Sequence, residues 1–118
     1  MNGSEFRNDA RRELRGRFEI TDSMTGLRIG RLVDLSATGL QVASDAPLTL
    51  DALYQWHFSL PLPTVGVPLE IECGVQVVWV DSPGTGEHTA GARFIQLSRA
   101  LREEIRAWSE GLQASGQH

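Results

Sequence analysis

From Leu69 to Val80 the chain alternates: Leu69, Ile71, Cys73, Val75 and Val77 are separated by Glu70, Glu72, Gly74 and Gln76, and the run closes on Val78-Trp79-Val80. A period of two gathers the apolar set on one face of a long strand. Shorter runs of similar character surround it. Phe18 and Ile20 alternate with charged residues; Leu27 and Ile29 lead to Leu32 or Val33; Leu40-Gln41-Val42-Ala43 alternates again. Leu53 to Leu60 sets Trp56 and Phe58 on one face, and His88 to Gln96 returns along the long strand. Turn chemistry separates these runs: Ser23-Met24-Thr25-Gly26, Asp34 to Gly39, the loop 44–52 with Pro47, the breakers Pro61, Pro63, Gly66 and Pro68, and Ser82-Pro83-Gly84-Thr85-Gly86. After Ser98 the period changes. Leu97, Leu101, Ile105, Trp108 and Leu112 fall at helical spacing, with Ser98 as N-cap and Gly111 as the stop, which predicts a helix over about 98–111. Six strands and one amphipathic helix predict an all-β fold with a terminal helix: a six-stranded antiparallel β-barrel whose C-terminal helix covers an opening or meets a partner.

At 118 residues, 41% of them hydrophobic and 22% charged, the chain has the composition of one globular domain. No apolar run approaches the ~20 residues of a membrane-spanning helix, and no signal-peptide core opens the chain. A lone Cys73 forms no internal disulfide and reads as a small core residue, so the expected compartment is cytoplasmic. Gly3-Ser4-Glu5-Phe6 reads as vector-derived and carries no functional weight. Residues 1–16 lack either apolar period and read as a flexible arm, of which 1–9 precede a domain spanning 10–112; residues 113–118 read as a flexible tail.

The formal net charge of −4 argues against indiscriminate nucleic-acid binding. Its distribution is uneven. Within residues 7–17, Arg7, Arg11, Arg12, Arg15 and Arg17 face only Asp9 and Glu13. Two patterns stand out. Arg11 and Arg15 form an Arg-x-x-x-Arg pair just ahead of the first strand, and Asp34-Leu35-Ser36-Ala37-Thr38-Gly39 forms an Asp-x-Ser-x-x-Gly turn between two strands. Taken alone, the arginines read as a solubilising arm and the turn as an Asx-type hairpin connection.

Together, in this order and at this separation, they resemble the PilZ domain family of bacterial cyclic di-GMP receptors. The family's fold, a six-stranded barrel with a C-terminal helix, agrees with the periodicity. The resemblance implies a ligand-binding set of Arg11, Arg12, Arg15, Asp34, Ser36 and Gly39. Guanidinium groups pair with phosphates, form bidentate contacts to the O6/N7 edge of guanine and stack on bases. Asp34 would accept from guanine N1–H and N2, Ser36 would donate its hydroxyl to the ligand, and Gly39 would permit a positive φ or a close approach. Trp79, in an ordinary core position, also lies where stacking on a guanine is feasible. The ligand the resemblance implies is cyclic di-GMP, and it implies no cofactor. A single-domain receptor of this kind needs an effector protein in trans, and the family's alternative role is an adaptor that does not bind the nucleotide. A monomer or weak dimer is expected, with no direct nucleic-acid or membrane partner. His57, His88 and His118 are scattered, with no metal-ligand spacing and no nucleophile motif, so the chain is read as a non-enzyme without a metal site.

Overall fold

The computed structural model of the chain describes residues 12–13, 18–61, 67–82, 84 and 86–116, with residues 12–13 and 111–116 described by backbone alone. The period-two runs form strands β2 (Glu19–Asp22), β3 (Arg28–Leu35), β4 (Gly39–Ser44), β5 (Leu53–Leu60), β6 (Leu69–Asp81) and β7 (His88–Gln96). A two-residue strand, β1 (Arg12–Glu13), precedes them, and the helical pattern forms α1 (Arg99–Gly116). Every pairing is antiparallel. The order β3-β2-β5-β6-β7-β4 closes on itself through the β3–β4 ladder, giving a six-stranded barrel. Closure pairs strand edges that an open sheet would expose.

Inside the barrel the alternating positions meet as one cluster. Trp56, Phe58, Ile71, Val75 and Val77 from β5 and β6 are buried with Leu32, Leu35, Leu40 and Ala92. Each fully buried large side chain contributes about 1.5–3 kcal/mol. Cys73 belongs to this core, as expected, and burial pushes its thiol up to about 12. Ile105 and Trp108 join the same cluster, so α1 covers the barrel with its apolar face. Ser98 caps the helix: its Oγ accepts from the Leu101 amide at 3.1 Å and its carbonyl from the Arg102 amide at 3.0 Å.

Three sequence expectations are corrected. The arm is not featureless through residue 16: Arg12 pairs with Leu35 and Glu13 with Asp34. The cause is a vacant edge, since β2 pairs with β3 only over Arg28–Arg31 and leaves Asp34 and Leu35 open on that side. The helix does not stop at Gly111 but runs to Gly116, so residues 113–116 are helix and not tail. Leu112, Gln113 and Ala114 are strong helix formers, which offsets the ~1 kcal/mol cost of an interior glycine. The signature turn is also shorter than the motif, because Asp34 and Leu35 finish β3 and Gly39 begins β4. Residues 1–9, Arg11 and Arg15 lie outside the described residues.

Candidate functional site

Strict alternation would turn Asp34 and Trp79 inward. Asp34 is two residues after Leu32, and Trp79 two after Val77; both reference positions are completely buried. Each strand carries a bulge between the two. In β3 the register passes from Leu32↔Val42 to Asp34↔Gln41, leaving Val33 as the extra residue. In β6 it passes from Val77↔Ala92 to Trp79↔Gly91, leaving Val78 as the extra residue. One inserted residue reverses the side-chain phase, so both Asp34 and Trp79 face out while Leu35 returns to the core.

The two bulges align these residues in one row. Following the ladders outward, Glu13 pairs with Asp34, Asp34 with Gln41, Gln41 with Gly91, and Gly91 with Trp79. Three interstrand steps of ~4.8 Å separate Asp34 from Trp79, about 14 Å along the barrel surface. The Trp79 ring lies over Gly91: a Cβ there would stand 2.1 Å from Nε1 and 2.5 Å from Cε2. Gly91 therefore lets the half-buried indole fold across β7 toward β4 and Asp34. In the next outward-facing row Gly39 pairs with Arg93 and Arg93 with Gln76. Arg93 donates twice to Gln76 Oε1, from Nε at 3.0 Å and Nη2 at 2.7 Å, which turns its guanidinium toward β6. Its exposure agrees with the alternation Ala92-Arg93-Phe94, but its place opposite Gly39 depends on register, which the sequence does not display.

The turn between β3 and β4 is held from within. Ser36 is completely buried, its amide donating to the Gly39 carbonyl at 2.9 Å. Its Oγ lies 3.1 Å from Thr38 Oγ1, 3.3 Å from the Thr38 amide that donates to it, and 3.4 Å from the Gly39 carbonyl. The hydroxyl thus shapes the turn. The Thr38 carbonyl accepts from the Phe94 amide at 2.9 Å, tying the turn to β7. Gly39 is not among the left-handed glycines of the described residues, which are Gly26, Gly84 and Gly86. Of the expected motif set the structure thus places Asp34 and Trp79 on one outer surface beside the backbone of Arg12, with Ser36 and Gly39 buried at its edge. Arg31 does not widen a positive surface, because Nη2 pairs with Glu87 at 2.9 Å.

A concavity of about 600 Å³ lies elsewhere on the barrel, lined by Phe18, Glu19, Thr21, His57, Phe58, Ser59, Pro61 and Pro68. Beside it Glu70 accepts from Ser59 Oγ at 2.8 Å and pairs with His57 Nε2 at 2.7 Å. The Ser59 hydroxyl and then His57 hold this carboxyl below its usual value. Ser59 donates to the carboxylate and not to the imidazole, so this arrangement does not activate a serine nucleophile. Among the described residues no group of three or more His, Cys, Asp or Glu side chains is placed to hold a metal ion, and no helix is long and apolar enough to cross a membrane.

Comparison with solved structures finds the same architecture in nine chains, three of which illustrate it. The inhibitor of motility from Bacillus subtilis (MotI/DgrA) superposes with a TM-score of 0.73 at 13% identity, over 91% of this chain and 50% of that one. The present chain thus spans half of that protein's length. The PilZ domain of YcgR from Escherichia coli, solved with c-di-GMP, gives a TM-score of 0.65 at 13% identity over 92% of both chains. A tetrameric PilZ domain protein from Xanthomonas campestris gives 0.56 at 17% identity, over 79% of this chain and 51% of that one. At these identities the likeness is one of fold. No curated protein matches the sequence. The PilZ domain profile, however, matches residues 5–111. The barrel closed through β3 and β4, the Asp-x-Ser-x-x-Gly turn at that junction and this match over most of the sequence lead to one conclusion: the chain belongs to the PilZ domain family.

Proposed function

We propose that the chain is a receptor for cyclic di-GMP and that the dinucleotide occupies the outer face bounded by β1, Asp34 and Trp79. The observation that carries the reading is the row Glu13–Asp34–Gln41–Gly91–Trp79. It sets a carboxylate and an indole on one surface, with the backbone of the arginine segment alongside. Family membership supports the ligand class, since PilZ domains are receptor and adaptor domains. Asp34 accepts from guanine N1–H and N2, selecting guanine over adenine. Trp79 stacks on a guanine face, and Arg11, Arg12 and Arg15 meet phosphates and the second base. Gly39, buried at the start of β4, puts no side chain beside Arg93 in the neighbouring row. Arg93 adds a guanidinium that a phosphate can draw from Gln76. Ser36 contributes by holding the turn.

Signalling proceeds through the arm. The two-residue ladder of β1 is a small anchor for the segment that carries Arg11 and Arg15. Ordering each further residue costs ~1–2 kcal/mol of backbone entropy. Phosphate and guanine contacts offset that cost, close the arm across the face, and create a new surface for an effector protein. Calorimetry tests the reading: cyclic di-GMP should bind the chain, with GTP and cyclic di-AMP far weaker. Removing Arg11 or Arg15 should cost about 1.5–3 kcal/mol each, roughly 10- to 150-fold. Failure of cyclic di-GMP to bind would instead favour the adaptor that works by protein contacts alone.

A further inference from the structure

We infer that Arg102 is a positioning residue that fastens the signature turn to helix α1, so that ligand occupancy and the seating of the helix are coupled. The identity of the ligand rests on the cyclic di-GMP reading; the fastening itself does not. Arg102 Nη1 donates to the Ala37 carbonyl at 2.5 Å, across 65 residues of sequence. Ala37 is the middle residue of the turn and is 2% exposed. Three consecutive carbonyls of this turn thus take donors from three sources: Ala37 from the helix, Thr38 from the Phe94 amide of β7, and Gly39 from the Ser36 amide of the turn itself. The turn fixes how Asp34, at the end of β3, stands relative to Gly39 at the start of β4. Shifting Ala37 therefore shifts the spacing of the two motif positions.

The place of Arg102 in the helix strengthens the assignment. It lies in the first turn, which contains no acidic residue and where the helix dipole disfavours a cation. Among the described residues it forms no ion pair with a carboxylate. Its charge at the unfavourable end is compensated by the Ala37 carbonyl. One and two turns further on, Ile105 and Trp108 are buried in the barrel's core cluster. The helix is thus a stiff element anchored at the core and tied at the turn. A ligand that favours one arrangement of the turn favours the helix position compatible with it, and the coupling is reciprocal.

Two variants separate this role from simple stabilisation. Arg102→Met keeps an unbranched apolar stem and removes the donors; Arg102→Lys keeps a cationic donor. Calorimetry with cyclic di-GMP is combined with amide hydrogen exchange of the free and bound forms. Arg102→Met should weaken binding about 5- to 20-fold, and Arg102→Lys should recover most of the loss. In the free protein, Arg102→Met should speed exchange at Ser36–Gly39 while β5 and β6 keep wild-type protection, showing an intact barrel. Ligand should alter exchange in residues 100–110 of the wild type and leave them unchanged in Arg102→Met. Wild-type affinity with an intact helix response in Arg102→Met would overturn the coupling. If the wild type binds no cyclic di-GMP, the ligand reading falls, and the free-protein exchange decides the fastening: an unchanged turn refutes it. Should Arg102→Met fail to fold, Arg102→Lys carries the test, because affinity as low as that of an Asp34→Ala variant would refute rescue by a donor.

Discussion

Replacing Gly91 by Ala tests whether the indole of Trp79 belongs to the ligand surface, because it moves that ring without altering it. The new Cβ would stand 2.1 Å from Nε1, 2.5 Å from Cε2 and 2.8 Å from Cδ1 of Trp79, distances no packed methyl tolerates. All three atoms belong to a half-buried side chain on the outer face, so the ring can swing away while the ladder stays. The strain of an off-rotamer or displaced ring is about 0.5–1.5 kcal/mol. An alanine in a strand gains about 0.5–1 kcal/mol over glycine, so the net change in stability should stay within about 1 kcal/mol. Loss of a base–aromatic stack costs about 1–3 kcal/mol, roughly 5- to 150-fold in affinity. Acrylamide quenching reports the displacement selectively, because Trp56 and Trp108 are 0% and 5% exposed and Trp79 is the accessible indole. Calorimetry with cyclic di-GMP then gives the affinity. Increased quenching with unchanged affinity would remove Trp79 from the site.

Gly30→Ala provides the contrast, since its Cβ would also meet an atom at 2.1 Å, but that atom is the Ala43 carbonyl oxygen, with Ser44 Cα at 2.7 Å. Backbone cannot swing aside, so the variant should lose about 3 kcal/mol, seen as a fall in thermal midpoint of order 10 °C; a wild-type midpoint would refute this reading of the β3–β4 contact. Asp34→Ala should weaken cyclic di-GMP strongly and leave residual adenine-dinucleotide binding nearly unchanged, as competition titrations would show; equal losses would mean that the carboxylate serves only the strand end. Cys73 gives an alkaline signature. Its thiol is held neutral to about 12 in the fold against an ordinary 9.0, so the associated stability is complete below the unfolded value and declines as pH rises from about 9 toward 12. The slope should approach ~1.4 kcal/mol per pH unit in urea melts, and a Cys73→Val variant should flatten it; parallel alkaline limbs in the two proteins would assign the slope elsewhere.

The barrel was legible because its signals are redundant. Leu69 to Val77 alternates without interruption, Pro61, Pro63 and Pro68 enforce a break, and the spacing of Leu101, Ile105 and Trp108 marks the helix. What escaped the sequence was phase. Val33 and Val78 are strand-forming residues with no local mark of a bulge, because a bulge arises from pairing with a second strand. Yet these two residues decide that Asp34 and Trp79 face outward. The same limit applies to Arg93, which becomes a neighbour of Gly39 only through register, and to β1, which forms because β2 leaves part of β3 unpaired. Ser36 was legible as a motif residue but not in its orientation, since a hydroxyl that could reach a ligand is satisfied first by Thr38 and Gly39. Gly111 does not end α1 for a related reason: a glycine ends a helix only when the residues beyond it stop supporting one.

Amide and indole chemical-shift mapping during a cyclic di-GMP titration locates the binding face on the barrel. The largest shifts should fall along the outer row, at Glu13, Asp34, Gln41 and Gly91 and at the Trp79 indole N–H, with Thr21, His57 and Glu70 on the far strands unmoved. Largest shifts around His57 and Glu70, or a saturated complex in which the Asp34–Trp79 row is unperturbed, would contradict this placement of the ligand.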